Sequence, residues 1–131
     1  MASFLLDTTV IIDVLKKKRG RSELLRELLQ QGHLLVCCSI NVSEVYSGVR
    51  PGDEPRTDEL LESFEFYEVT KEIARKAGLL RRDYARKGRM LSLPDATIAA
   101  VALTHDLTLI TDNVKDYPMP GIRLYPLETK A

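Results

Sequence analysis

The sequence predicts an α/β fold, a three-layer sandwich in which helices cover both faces of a central, mainly parallel, twisted sheet. Short apolar runs alternate along the chain with longer segments whose apolar residues recur at helical spacing. Two of the short runs lead directly into an aspartate, at the strand ends where open α/β sheets form their binding crevice. Strands that alternate with helices favour a parallel sheet with right-handed crossovers, which place the helices on its faces.

Composition predicts one globular domain over residues 1–131. Hydrophobic residues make up 44% and charged residues 29% of the chain, as in an ordinary soluble protein. No apolar run approaches the roughly 20 residues that a membrane span needs, so we expect a cytoplasmic protein without membrane contact. The formal net charge is zero, and nucleic-acid binding would therefore need a local basic patch. Cys37 and Cys38 are adjacent, which suits neither a redox pair nor a zinc site.

The chain is organised around the stretch from Phe4 to Asp13. Residues 4–7 are predicted to form a buried strand, and Thr8 or Thr9 to cap a helix that runs to about Lys18. Asp7 would then lie at the carboxyl end of a central strand. A carboxylate is costly to keep there unless a cation or hydrogen-bond donors lie close to it.

The rest of the chain continues the alternation of strands and helices. The basic run 16–21 is predicted to be a connection, more often a solvated loop than a binding site. Ser39 is predicted to cap the third helix. Helices are predicted over 22–31, 41–50, 56–63, 71–86 and 93–105, and strands over 33–38, 64–69, 107–111 and 122–125.

Three further acids are candidates for a site. Glu44 lies opposite the apolar face of its helix, where a solvated side chain is the more common outcome. Asp95 follows Pro94 in the first turn of an almost wholly apolar helix, which indicates either a site at the mouth of a buried helix or a simple contact with the helix dipole. Asp112 directly follows a predicted strand, as Asp7 does.

These four acids predict a metal site. The two strand ends lie along one edge of a parallel sheet, and the helices that carry Glu44 and Asp95 can reach it. Several carboxylates within a few ångströms repel one another unless a cation intervenes. Oxygen ligands without histidine or thiolate select Mg²⁺ or Mn²⁺ over zinc. Such an ion can orient a water and neutralise a phosphoryl group, so the chemistry predicted is metal-dependent phosphodiester hydrolysis.

A basic face accompanies the acids. The helix predicted over 71–86 and the connection after it carry an excess of Lys and Arg, which suits either solubility or the binding of phosphates. The candidates for RNA binding are Arg81, Arg82, Arg86 and Arg89.

The motifs over 5–13, 43–44, 93–96 and 109–117 resemble, in order and spacing, those of the PIN-domain family, and most of all the VapC toxins of prokaryotic toxin–antitoxin pairs. The resemblance implies a metal-dependent endoribonuclease, often a homodimer, held inactive by a cognate antitoxin. Asp7, Glu44 and Asp95 match the family's acids, and Glu44 thereby gains a role. The fourth acid is Asp112 or Asp116, with Asp112 favoured because it is nearer the strand end.

The resemblance also suggests roles around the metal. Asp7, Asp95 and Asp112 are expected to bind one Mg²⁺ or Mn²⁺, directly or through water, and Glu44 to position or deprotonate the attacking water. Thr9 stands where the family usually has Asn or Ser; its hydroxyl is expected to orient Asp7 or a metal-bound water, and Thr111 to support the site. Tyr46 and the helix over 56–63 are candidate interface elements. The alternative function is a PIN-fold module that binds RNA or a partner without cutting; a phosphotransfer hydrolase is disfavoured because position 9 is not acidic.

Overall fold

A computed structural model describes residues 2–127 of the protein, and within them one five-stranded sheet is formed. The strands are β1 (Ser3–Leu6), β2 (Leu34–Cys38), β3 (Glu65–Tyr67), β4 (Thr108–Thr111) and β5 (Arg123–Pro126). Their spatial order is β3-β2-β1-β4-β5, and every neighbouring pair is parallel. Leu5 of the central strand pairs with Val36 on one side and with Leu109 on the other. The predicted α/β class is confirmed.

Six α-helices connect the strands in this part of the chain. They are α1 (Thr8–Leu15), α2 (Arg21–Gln30), α3 (Ser39–Ser47), α4 (Glu54–Glu62), α5 (Lys71–Arg86) and α6 (Leu93–His105). A short 3₁₀ helix, Val114–Asp116, follows β4. Each of the three crossovers β1 to β2, β2 to β3 and β3 to β4 contains two helices. None of the six is long and apolar enough to cross a membrane.

The helices form two layers because successive strand residues point to opposite faces of the sheet. Leu5 packs into the core that contains the buried residues of α5 and α6. Phe4 and Leu6 pack into the other core, which is made with α1 to α4. Helix α6 is buried on nearly all sides from Ala96 to Ala102, as its apolar sequence predicts.

Several helix ends differ from the predictions: α3 ends at Ser47 and not at residue 50, and α4 begins at Glu54 and not at residue 56. Two of the differences have a clear physical reason. Helix α1 ends at Leu15, short of Lys18, because the chain turns through left-handed conformations just beyond it. Helix α3 begins at Ser39, which is therefore not its cap. The side chain of Asn41 accepts a hydrogen bond from the Cys38 amide at 2.8 Å, and the Ser39 hydroxyl accepts one from the Val69 amide at 2.9 Å. The N-cap of α3 is thus Cys38 in place of Ser39, and Asn41 in the first turn satisfies its amide.

Candidate active site

The four predicted acids lie on elements that meet at the carboxyl edge of the sheet. Asp7 directly follows β1, and Asp112 directly follows β4, its hydrogen-bonded neighbour. Glu44 lies on α3, which continues from β2 without a break. Asp95 lies in the first turn of α6, the helix that precedes β4. The parallel topology therefore gathers the acids from four separate segments of the chain.

Asp7 is buried and held by hydrogen bonds. It caps α1 itself, in place of the predicted Thr8 or Thr9: its Oδ1 accepts from the Thr8 amide at 2.8 Å. Its Oδ2 accepts from the Thr111 hydroxyl at 2.7 Å. Burial raises the pKa of Asp7 from 3.8 to about 6, although these two hydrogen bonds oppose the rise and the charge of Asp95 adds to it. The carboxylate is thus fixed in place but costly to ionise without a compensating cation.

Asp95 is joined to Asp7 through Tyr117. The Asp95 amide donates to the Ser92 hydroxyl at 3.1 Å, which fixes the first turn of α6. The Tyr117 hydroxyl donates to Asp95 Oδ1 at 3.2 Å and also lowers the pKa of Asp7 as a hydrogen-bond donor. Burial and the two carboxylates raise the pKa of Tyr117 well above its usual range, so the hydroxyl stays protonated. The three side chains form one cluster, which we call the Asp7–Asp95 cluster.

Glu44 is tied to the start of α1. Its Oε1 accepts from the Thr8 hydroxyl at 2.7 Å, so the side chain is half-buried and not simply solvated. The fully buried Asn41 donates to the same hydroxyl at 3.0 Å and to the Leu6 carbonyl at 3.1 Å. This chain of hydrogen bonds sets Glu44 beside the strand end that carries Asp7.

Asp112 is surrounded by cationic and hydroxyl donors. Arg19 Nη1 donates to its Oδ2 at 2.9 Å, and Arg21 Nη2 lies 3.8 Å from the same oxygen. Thr9 donates to Oδ1 at 3.3 Å. The Thr9 hydroxyl thus faces Asp112 and not Asp7, and its other predicted role, a hydrogen bond to a metal-bound water, stays a prediction. Both Asp112 oxygens already have partners from the protein.

Asp116 and the four arginines stand apart from these contacts. Asp116 is half-buried in the 3₁₀ helix, and within residues 2–127 its side chain makes no hydrogen bond or ion pair; the choice of Asp112 over Asp116 as the fourth acid stays a prediction. Three arginines are engaged by the protein: Arg81 Nε donates to the Leu91 carbonyl at 2.9 Å, Arg82 pairs with Asp83 at 3.0 Å, and Arg89 donates to the Lys115 carbonyl. Arg86 is exposed in the last turn of α5.

The atoms of the four acids that could bind a metal at this edge are all oxygens. Neither histidine belongs to it: His33 accepts from the Ala2 amide at 3.0 Å, and His105 stacks on Tyr67 at 4.1 Å. The described residues contain no group of three or more His, Cys, Asp or Glu side chains arranged as a ready metal cage. The Asp7–Asp95 cluster nevertheless fits a hard cation, because a buried acid with a raised pKa beside a second carboxylate is relieved by a positive charge.

Sequence reasoning missed several of these residues. Tyr117 closes the last motif, and a buried aromatic hydroxyl needs a polar partner, which was the available signal. Asn41 carried a signal of the same kind, as an amide in the first turn of a helix. For Arg19 and Arg21 the only signal in the sequence was their positive charge. Their partner Asp112 is distant in the chain, 93 residues beyond Arg19.

Comparisons with known proteins show the family and the fold of this chain. The PIN domain family matches residues 4–115. The chain is 32% identical to ribonuclease VapC19 of Mycobacterium tuberculosis over 88% of this chain and 92% of that protein, and 30% identical to the tRNA(fMet)-specific endonuclease VapC of Salmonella typhimurium over 95% and 97%. Its fold is similar to a chain of a toxin–antitoxin complex from Klebsiella pneumoniae, with a TM-score of 0.76 and 32% identity over 97% of this chain and all of that one. This chain belongs to the PIN-domain family.

Proposed function

We propose that the protein is a metal-dependent endoribonuclease that hydrolyses RNA phosphodiester bonds and acts as the toxin of a toxin–antitoxin pair. The observation that carries the proposal is the Asp7–Asp95 cluster, in which buried Asp7 and half-buried Asp95 share the Tyr117 hydroxyl at the carboxyl edge of the sheet. Support for the reaction class comes from the relatives, which are named a ribonuclease and an endonuclease.

The proposed ion is Mg²⁺ or Mn²⁺, held by Asp7, Asp95 and Asp112, directly or through water. When bound, such an ion lowers the pKa of a water and neutralises charge on a phosphoryl oxygen. Both oxygens of Asp112 already accept hydrogen bonds, from Thr9 and from Arg19. We therefore propose that Asp112 contacts the ion less directly than Asp7 and Asp95 do.

The remaining roles belong to the chain's own side chains. Thr111 and the Thr8 amide fix the orientation of the Asp7 carboxylate, and Tyr117 does the same for Asp95. Glu44 accepts from Thr8 through Oε1, which leaves Oε2 to orient the attacking water or take its proton. These contacts set the acids in place before substrate arrives, so little reorganisation is needed during the reaction.

The partners proposed are an RNA substrate, a cognate antitoxin that covers the acids, and a second copy of the chain. The similar Klebsiella pneumoniae chain belongs to a toxin–antitoxin complex, which supports the antitoxin. For the homodimer, exposed Tyr46, whose hydroxyl donates to Asp58 of α4, remains our candidate interface position.

The test is cleavage of a panel of RNAs by purified protein with Mg²⁺, with Mn²⁺ and with EDTA. Because one relative is named as specific for tRNA(fMet), the panel includes that tRNA beside unstructured RNA. We expect cleavage that needs the metal and is lost in Asp95→Asn but kept in Asp83→Asn, an exposed acid on α5. Folded protein that binds RNA but cuts none of it, with either metal, would support the alternative of a binding module without turnover.

A further inference from the structure

The loop between α1 and α2 places one basic side chain at the acidic edge. Three of its residues have left-handed backbone: Lys17 at φ 55°, Arg19 at φ 60° and Gly20 at φ 67°. Left-handed backbone is unfavourable for residues other than glycine, so surrounding contacts must hold it. Here the Lys18 amide donates to the Asp13 carbonyl at 2.8 Å, and the Arg21 amide donates to the Lys18 carbonyl at 3.3 Å. The conformation that carries Arg19 is therefore held by the fold.

Arg19 uses little of its hydrogen-bonding capacity within the protein. Nη1 donates to Asp112 Oδ2 at 2.9 Å, and this is the one side-chain hydrogen bond of Arg19 to any residue in 2–127. The side chain is 50% exposed. A guanidinium carries five N–H donors in a planar fork, so most of the fork faces solvent beside the acids.

A second arginine lies behind Asp112. Arg21 is 6% exposed, and its Nη2 and Nε lie 3.8 Å from Asp112 and 3.9 Å from Asp13. Both nitrogens are buried and, among the described residues, have no hydrogen-bond partner. Asp112 therefore faces two guanidinium groups, which offset its charge while no metal is bound. The side chain that remains exposed beside Asp112 is that of Arg19.

We propose that Arg19 is a substrate-binding residue that contacts a phosphate of the RNA strand beside the Asp7–Asp95 cluster, and that Asp112 is the positioning residue that aims it. The inference rests on the proposed function, since it requires an RNA strand at this edge. The guanidinium fork matches a phosphate in two parallel N–H···O bonds, which a lysine at the same place does not reproduce.

The test measures RNA affinity without turnover, by fluorescence anisotropy in EDTA. Arg19→Gly and Lys17→Gly form a matched pair, because each removes one positive charge from a left-handed position that glycine accepts. We expect Arg19→Gly to weaken RNA binding about tenfold, as for the loss of a charge-assisted hydrogen bond, and Lys17→Gly to weaken it by less than about threefold. Arg19→Lys should recover only part of the loss.

Three further readouts bear on the inference. In an Asp112→Asn background the effect of Arg19→Gly should shrink, since the guanidinium is then no longer aimed. With metal, Arg19→Gly should raise KM more than it lowers kcat. Titration with Mn²⁺ should give the same affinity for wild type and Arg19→Gly.

Different outcomes overturn different statements. If wild type binds RNA and Arg19→Gly equals Lys17→Gly, the inference is wrong while the proposed function stands. If Arg19→Gly leaves RNA affinity unchanged and tightens Mn²⁺ binding, Arg19 is a cation that competes for Asp112, which also overturns the inference. If wild type binds no RNA from the panel in EDTA and cleaves none of it with Mg²⁺ or Mn²⁺, the proposed function is overturned together with it.

Discussion

Asp7 and Asp112 follow neighbouring strands and are held in opposite ways. Asp7 accepts hydrogen bonds from an amide and a hydroxyl, lies beside Asp95, and has a raised pKa. Asp112 is paired with Arg19 and lies near Arg21. Among the described residues, the first acid has no positive partner and the second has two. A position at a strand end therefore does not decide whether a carboxylate needs an added cation. That depends on which residues other segments of the chain place around it.

The largest expected effect is a difference in RNA cleavage between variants of Asp7 and Asp112. Asp7→Asn should lower metal-dependent cleavage by more than about a hundredfold, because the loss of a group that merely supports a metal ligand already costs about ten- to a hundredfold. Asp112→Asn should stay within that smaller range. The comparison is made by single-turnover cleavage with Mn²⁺ at saturating enzyme. Equal losses in the two variants would contradict the distinction between the two acids.

The next effect is the pH dependence of stability without metal. The pKa of Asp7 rises from 3.8 to about 6 on folding, so between these values the folded chain binds more protons than the unfolded chain. Stability from Asp7 is therefore present below about pH 3.8 and is lost as pH rises toward 6. The loss in the free energy of unfolding is up to about 3 kcal/mol, since each pH unit between the two pKa values contributes about 1.4 kcal/mol.

Urea denaturation in EDTA at pH 4.5 and pH 7.5 measures this loss, with Asp7→Asn as the reference. Asparagine can still cap α1 and does not ionise. The free energy of unfolding of the variant, relative to that of wild type, should therefore be higher at pH 7.5 than at pH 4.5. Added Mn²⁺ should restore the stability of wild type at pH 7.5 and leave the variant unchanged. A constant difference between the two proteins across this pH range would show that Asp7 is not destabilised by burial.

The smallest effects compare two threonines. Thr111→Val removes the buried donor to Asp7 Oδ2 and should cost about 1–3 kcal/mol at pH 7.5, since a buried acceptor loses its partner. Thr9→Val removes an exposed, 3.3 Å hydrogen bond to Asp112, and the change should stay within about 0.5 kcal/mol. Chemical denaturation of both variants gives the comparison. A larger loss for Thr9→Val than for Thr111→Val would mean that the exposed contact with Asp112 contributes more to stability than the buried contact with Asp7, against the prediction.

Much of the fold was predictable because it depends on local pattern. Apolar strands, amphipathic helices and the proline at the start of α6 are encoded within short windows, and the element order follows from them. The acids Asp7 and Asp112 were found for the same reason, since each follows an apolar run. Helix ends were predicted less well: the cap of α1 is Asp7 itself, and the cap of α3 is Cys38 in place of Ser39.

The partners of the acids were not predictable by the same means. Arg19 looked like part of a solvated basic run, and nothing nearby in sequence shows that a left-handed turn aims it at a strand end 93 residues away. Tyr117 lies within the last motif, but its bond to Asp95 depends on how the chain packs after β4. Contacts between distant segments are set by tertiary packing, which periodicity and spacing do not contain.

The order of the strands has a consequence for when this protein can act during its synthesis. β1 is made before β4, with which it pairs, and the Asp7–Thr111 hydrogen bond closes a separation of 104 residues. Such non-local contacts form late, because a long loop must close before they stabilise anything. A nascent chain that still lacks β4 has Asp7 but neither its neighbouring strand nor the hydroxyl that orients it. The acids can assemble only after nearly the whole described chain has left the ribosome.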